Sequence, residues 1–194
     1  FNQRTDPPYI KLRDLINRGE LGEIRRYVWI ITNWFRTEAY FGSGGWRATW
    51  AGEGGGVLMN QCAHQLDLLQ WMFGMPEKVR AFCEFGRYHD IEVEDDVTAY
   101  LEYANGSKGV FITTTGESPG TNRLEVTGER GKVVLEGAGI DLLCLAGGAE
   151  LPVEHPALGG QALQGQPTII VDGVALFGPV EGDPGDTGIF GFVL

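Results

Sequence analysis

Residues 54–74, GGGVLMNQCAHQLDLLQWMFG, open on three glycines and close on Gly74, with Pro76 two residues beyond. Leu58, Cys62, Leu66, Leu69 and Phe73 recur at helical spacing, which predicts a helix over 57–73 with that stripe against a core. Asn60, His64, Asp67 and Trp71 follow one another at intervals of three and four and share the opposite face. A histidine set among an amide and a carboxylate can act as a general acid or base near neutral pH, with its tautomer fixed by a neighbour. An isolated helical histidine is more often structural, so spacing alone leaves both readings open.

Upstream of this stretch, residues 6–19 (DPPYIKLRDLINRG) carry the marks of a short helix. Asp6 suits the cap, Pro7 the first turn and Gly19 the end, with Ile10, Leu12, Leu15 and Ile16 as the apolar stripe. Residues 23–35 are rich in β-branched and aromatic side chains and predict a strand. Alternation places Val28, Ile30 and Trp34 on one face and Tyr27, Trp29, Ile31 and Phe35 on the other, so both faces call for cover. A loop of glycines and aromatics then leads into the 54–74 stretch through Trp46 and Arg47. Downstream, short alternating segments at 78–88, 96–103, 108–115, 122–128 and 132–136 predict an antiparallel sheet. Asn105-Gly106 supplies the positive φ angles that a tight hairpin needs.

The charge and the cysteines exclude several classes of function. With 15 basic residues against 26 acidic ones and a net charge of −11, the chain has little with which to neutralise phosphates, and nucleic acid is not an expected partner. No apolar run approaches the roughly 20 residues that cross a bilayer, and no basic-then-apolar leader opens the chain. No membrane is expected, and the cytoplasm is the expected location. Cys62, Cys83 and Cys144 are widely spaced without a C-x-x-C pair, which suits reduced thiols. Only His64, His89 and His155 offer imidazole, in unrelated contexts, so no metal site is expected.

The run GGG-V-L-x-N-x-x-x-H-x-x-D-x-x-x-W-x-x-G, with GWR before it and EDD and NGS after it, resembles the glucose-fructose oxidoreductase, inositol dehydrogenase and MocA family. The resemblance covers residues 1–137. It implies an α+β fold: an open, mostly antiparallel sheet with helices on one face, like the carboxy-terminal domain of dihydrodipicolinate reductase. It also implies that NAD or NADP is bound mainly by an amino-terminal Rossmann domain, expected upstream because the chain opens on Phe1 in mid-fold. Cofactor-binding residues within this chain stay unassigned. The family's catalytic lysine sits in a Glu-Lys-Pro segment of that other domain, which this sequence lacks.

Carried over residue by residue, the resemblance makes His64 the group that exchanges a proton with a substrate hydroxyl during hydride transfer. Asn60 stands where many members carry aspartate; an amide can bond a hydroxyl but cannot titrate or support an imidazolium by charge. Asn60, Asp67, Arg47 and Trp46 are the substrate-binding candidates, each with a plain alternative: a loop bond for Asn60, a solvated carboxylate for Asp67, a surface ion pair for Arg47, packing for Trp46. Gly54–Gly56 offer amides to a ligand, or simply allow a close approach. The resemblance implies a sugar, inositol or polyol as substrate. Residues 96–136 present a second sheet face to a partner subunit, so a homo-oligomer through that face is expected. A non-catalytic binding or oligomerisation module and an NAD-dependent glycosidase are the alternative functions.

Residues 1–137 hold all 15 basic residues and form the expected substrate-binding and oligomerisation domain, whereas 138–194 contain no Lys or Arg, seven acidic residues and twelve glycines. So abrupt a change predicts a Gly-rich acidic tail: either a loosely ordered extension or the product of a reading-frame change.

Overall fold

A computed structural model describes residues 1–136 and, as backbone strand, residues 139–144. These belong to one compact unit; the remainder of the expected 138–194 tail lies outside the described residues. After a 3-10 turn at Asn2–Thr5 come α1 (Pro7–Asn17), β1 (Ile24–Ile31), α2 (Glu38–Gly42) and α3 (Ala63–Phe73). Six strands follow: β2 (Lys78–Phe85), β3 (Glu94–Glu102), β4 (Lys108–Thr114), β5 (Asn122–Gly128), β6 (Gly131–Glu136) and β7 (Gly139–Cys144).

The strands form one sheet in the order β2-β3-β4-β1-β5-β6-β7. Every pairing is antiparallel except β1 with β4, which run parallel. The fold is therefore α+β, an open and mostly antiparallel sheet, as the sequence leads one to expect. The β3–β4 hairpin turns at Asn105-Gly106, where Gly106 has φ +82° and the Asn105 side chain accepts from the Ser107 amide at 3.0 Å.

Tyr27, Trp29 and Ile31 of β1 point to the covered side of the sheet, where they join Phe111, Leu124 and Val126 from neighbouring strands and Leu12, Leu15, Leu68, Leu69 and Met72 from the helices. Trp29 is fully buried, meets Phe111 edge-on with centroids 6.2 Å apart, and donates its indole N–H to Asn122 Oδ1 at 3.2 Å. Tyr27 stacks on Phe73 at 4.3 Å and shares a 2.8 Å hydrogen bond with the Tyr103 hydroxyl, so neither buried phenol is left unpaired. Gly109, in register with Tyr27, makes room for that ring: a Cβ there would lie 2.2 Å from it.

Three local expectations shift. Strand β1 stops at Ile31, seven residues after it begins, because the Thr32 amide bonds the Thr121 carbonyl and the Thr32 hydroxyl accepts from the Thr121 amide. Beyond that point the alternation fails, and Trp34 packs on the core while Phe35 is exposed. In α1, Ile10 is exposed and Tyr9 packs inward instead. In α3 the buried stripe is Gln65, Leu68, Leu69 and Met72, with Leu66 and Phe73 only partly covered.

Candidate functional site

Helix α3 begins six residues later than its pattern predicts, and the cause is Glu94 at the start of β3. Its buried carboxylate accepts from the Gly56 amide at 2.9 Å and the Leu58 amide at 3.2 Å, while its carbonyl accepts from the Val57 amide at 2.9 Å. Three consecutive amides are thus committed to a strand, and residues 57–62 form turns instead of the first helical turns. The amides of the triple-glycine entry that looked free for a ligand include one, at Gly56, that is already bonded.

Asn60 therefore does not share a helical face with His64. It lies in the entry turn, donates to Glu53 Oε1 and accepts from Gln61 Nε2 at 3.1 Å. Glu53 also accepts from the Ala48 amide at 2.8 Å, so Asn60 is linked to the Trp46–Arg47 loop rather than to the imidazole.

His64 occupies the first turn of α3, half-buried. The Phe1 ring meets it edge-on, with centroids 5.4 Å apart and planes at 87°. Its Nδ1 is buried and has no hydrogen-bond partner among the described residues. A buried polar atom without a partner is costly, so such an atom marks a place where a further polar group belongs. Asp67, one turn on, is not engaged with His64: Arg4 grips its two oxygens at 2.5 and 2.7 Å. That contact holds the Arg4 guanidinium above its ordinary range, chiefly through the hydrogen bond to Asp67.

Arg47 donates to the Tyr40 hydroxyl at 2.9 Å, and its guanidinium lies 4.6 Å from the Tyr40 ring centre and 4.5 Å from that of Trp46, which is itself half exposed. An open cleft of about 530 Å³ adjoins it, with Glu38, Phe41, Thr49, Asp90 and Glu92 among its walls. The structure thus places Arg47 in the wall of a cleft with Trp46 stacked against it, ties Asn60 to Glu53, and sets His64 and Asp67 one turn apart along α3.

Two residues escaped the sequence reading. His89, dismissed for its context, is buried: its Nδ1 lies 3.1 Å from Asp95 Oδ2 and its Nε2 2.9 Å from the Arg36 carbonyl. Asp95 is fully buried and also accepts from the Arg87 and Tyr88 amides at 2.9 and 2.8 Å. This pair fastens the β2–β3 connection to the loop after β1, and the ring of Phe41, a wall of the cleft, lies 4.8 Å from His89. The EDD run was the available signal, but nothing in it announces which amides Glu94 and Asp95 would take. Cys62 is fully buried, and burial, outweighing the smaller opposing effect of its hydrogen bond with Thr113, pushes its thiol up to about 12, which disfavours the thiolate a nucleophile would need.

Residues 9–134 match the model of the GFO/IDH/MocA C-terminal domain, and the chain belongs to that family. It is similar, at 33% identity over 138 residues, to trans-1,2-dihydrobenzene-1,2-diol dehydrogenase of Bos taurus, covering 68% of this chain and 37% of the relative. Among solved structures, the WlbA dehydrogenase of Bordetella pertussis, in complex with NADH and UDP-GlcNAcA, superposes with a TM-score of 0.69 at 29% identity, over 75% of this chain and 46% of that one. A levoglucosan dehydrogenase in complex with NADH and levoglucosan shares the fold at a TM-score of 0.59 and 22% identity, over 70% of this chain and 38% of its own. The chain spans less than half the length of each. Among the described residues no helix is long and apolar enough to cross a membrane.

Proposed function

We propose that this chain is the substrate-side domain of an NAD(P)-dependent oxidoreductase that acts on a CH–OH group of a sugar, inositol or polyol. The observation that carries the reading is His64: a half-buried imidazole on the family's own helix, with a buried ring nitrogen that nothing in the described chain satisfies. Such an atom suits a site completed by groups from outside the domain, which fits a substrate and a cofactor held largely by another domain. The nicotinamide, when bound, supplies the hydride chemistry. His64 gives or takes the hydroxyl proton at a ring nitrogen. Arg47 offers a cation to the substrate from the cleft wall and Trp46, stacked on it, an aromatic face; Asn60 bonds a hydroxyl from the entry turn, and Asp67 acts on substrate through the placement of α3.

In this reading residues 1–137 form the functional domain, β7 (Gly139–Cys144) extends its sheet by one strand, and the rest of 138–194 is a tail. On the same reading the protein is cytoplasmic and self-associates through the open side of the sheet. That side carries Val28, Ile30, Val110 and Ile112, half-buried, and Phe82, which is 70% exposed. A second reading, a non-catalytic binding module, draws on Asn60 being committed to Glu53.

The deciding experiment is steady-state kinetics on the protein that joins this domain to its nucleotide-binding domain. His64→Ala should lower turnover roughly a hundredfold or more, the usual contribution of a general acid-base group. Near-normal turnover would overturn the assignment, and no reduction of cofactor by any polyol would favour the binding module.

A further inference from the structure

One face of α3 is covered, residue for residue, by the chain's first few residues. His64, Asp67 and Trp71 lie at intervals of three and four and so form a single stripe. Phe1 meets the His64 ring, Arg4 holds the Asp67 carboxylate, and Arg4 lies over Trp71 at 5.7 Å. Beside the stripe, Gln65 Nε2 donates to Gln3 Oε1 at 2.9 Å. From α1, Arg13 stacks on Trp71 at 4.3 Å and donates to its carbonyl at 3.2 Å.

These contacts fix the rotation of α3 about its own axis. Apolar packing of Leu68, Leu69 and Met72 is non-directional and tolerates small rotations, whereas a two-pronged arginine–carboxylate bond does not. The Asp67 side chain is only 10% exposed, so the bond is better shielded than an ordinary surface pair. A rotation that moved Asp67 would carry His64, one turn away on the same stripe, with it.

We propose that Phe1–Arg4 is a strap that sets the orientation of His64, with Arg4 and Gln3 as positioning residues acting through Asp67 and Gln65. The proposal rests on the reading of His64 as the proton-transfer residue only for its functional consequence; the orientation itself can be measured in this chain alone. The strap also gives the segment that enters the domain a direct hold on the imidazole, so a movement arriving along the chain would reach the proton-transfer group through two side-chain pairs.

The test uses isotope-labelled chain and the nuclear Overhauser contact between the Phe1 and His64 rings, with His64→Gln to assign the ring signals. The variants are Arg4→Met, the charge-free pair Arg4→Met with Asp67→Leu, and the exchanged pair Arg4→Asp with Asp67→Arg. Positioning predicts that the ring contact is lost in the first two and returns in the exchanged pair, while far-ultraviolet circular dichroism stays that of the parent. Retention of the contact in the charge-free pair would overturn the proposal, since the His64 ring would then keep its place without the Arg4–Asp67 bond. Loss of the fold in the charge-free pair leaves the exchanged pair to decide, and failure of the contact to return there also counts against the strap.

In the two-domain protein Arg4→Met should lower kcat roughly tenfold with KM within about twofold, as a misplaced catalytic group does, and the exchanged pair should recover most of that loss. If His64→Ala leaves turnover intact while the ring contact follows the strap, the functional reading fails and the positioning stands. If His64→Ala abolishes turnover while Arg4→Met changes neither contact nor kcat, the positioning alone fails.

Discussion

Glu94 holds Gly56 from two directions: its Oε2 accepts the Gly56 amide at 2.9 Å, and its carbonyl oxygen lies 1.9 Å from where a Cβ on Gly56 would sit. The close approach of these two backbones is what lets one residue collect three successive amides of the entry turn, those of Gly56 and Leu58 on its carboxylate and that of Val57 on its carbonyl. Gly56→Ala forces strand and turn apart, and it should cost about 3 kcal/mol, at the upper end of what overpacking costs. Glu94→Gln puts an amide N–H₂ against a backbone N–H, and it should cost about 1–3 kcal/mol for the donor left unpaired. Urea titration of the two variants checks both, and parental midpoints would remove the clamp.

His89→Ala should be a stability variant first. It removes the ring that bridges Asp95 Oδ2 and the Arg36 carbonyl, and a loss of about 2–3 kcal/mol is expected from leaving buried polar groups short of a partner. Because Phe41 packs on the same ring, hydrogen exchange over residues 36–42 should quicken in this variant more than exchange in β5 and β6. Uniform quickening would show that the pair does not specifically fasten that loop.

Alkaline pH should unfold the protein earlier than a chain of ordinary thiols and phenols. Cys62 titrates at 9.0 when unperturbed and is pushed to about 12 in the fold, while burial raises Tyr27 and Tyr103 above 10.0. In the unfolded chain these groups release protons first, so the unfolded state binds fewer protons and stability falls as pH rises past 9.0. The contribution is fully present below that value and is lost by about 12 for Cys62. Cys62→Ala should flatten the Cys62 part of the decline across this window in thermal melts, and an unchanged slope would assign it to the phenols.

On the acid side the relevant group is Glu125, in the middle of the open sheet face. A hydrogen bond from Lys132, with Arg26 and Arg123 nearby, holds its carboxyl below the usual 4.5. A depressed carboxylate contributes stability above its ordinary value and loses it as pH falls through the folded one. Lys132→Met should therefore raise the pH of acid unfolding. The shift should be small, because the group is partly exposed and screened, and it should shrink further in high salt.

Where local chemistry decides, the sequence was legible. Pro7 at the first turn of α1, the Asn105-Gly106 hairpin and the alternation of Tyr27, Trp29 and Ile31 each follow from φ preferences and period, and each occurs where expected. The motif around His64 placed the chain in its family before any coordinates. The start of α3 was not legible, because the amides that would have begun it bond Glu94, some 38 residues away in sequence. The same distance hid the fate of two candidates: Asp67 pairs with Arg4 across 63 positions, and His89 reaches Arg36 across 53.

By itself, then, the sequence determined the helix and strand types, the hairpin, the family and the histidine at its centre, because those depend on residues within a turn or two of one another. Only the tertiary structure decided that β1 and β4 run parallel, that Asn60 stands apart from His64, and that the polar stripe of α3 is held by the first residues of the chain. Those are outcomes of competition among distant partners for the same donors and acceptors, and hydrophobic period carries no record of which partner wins.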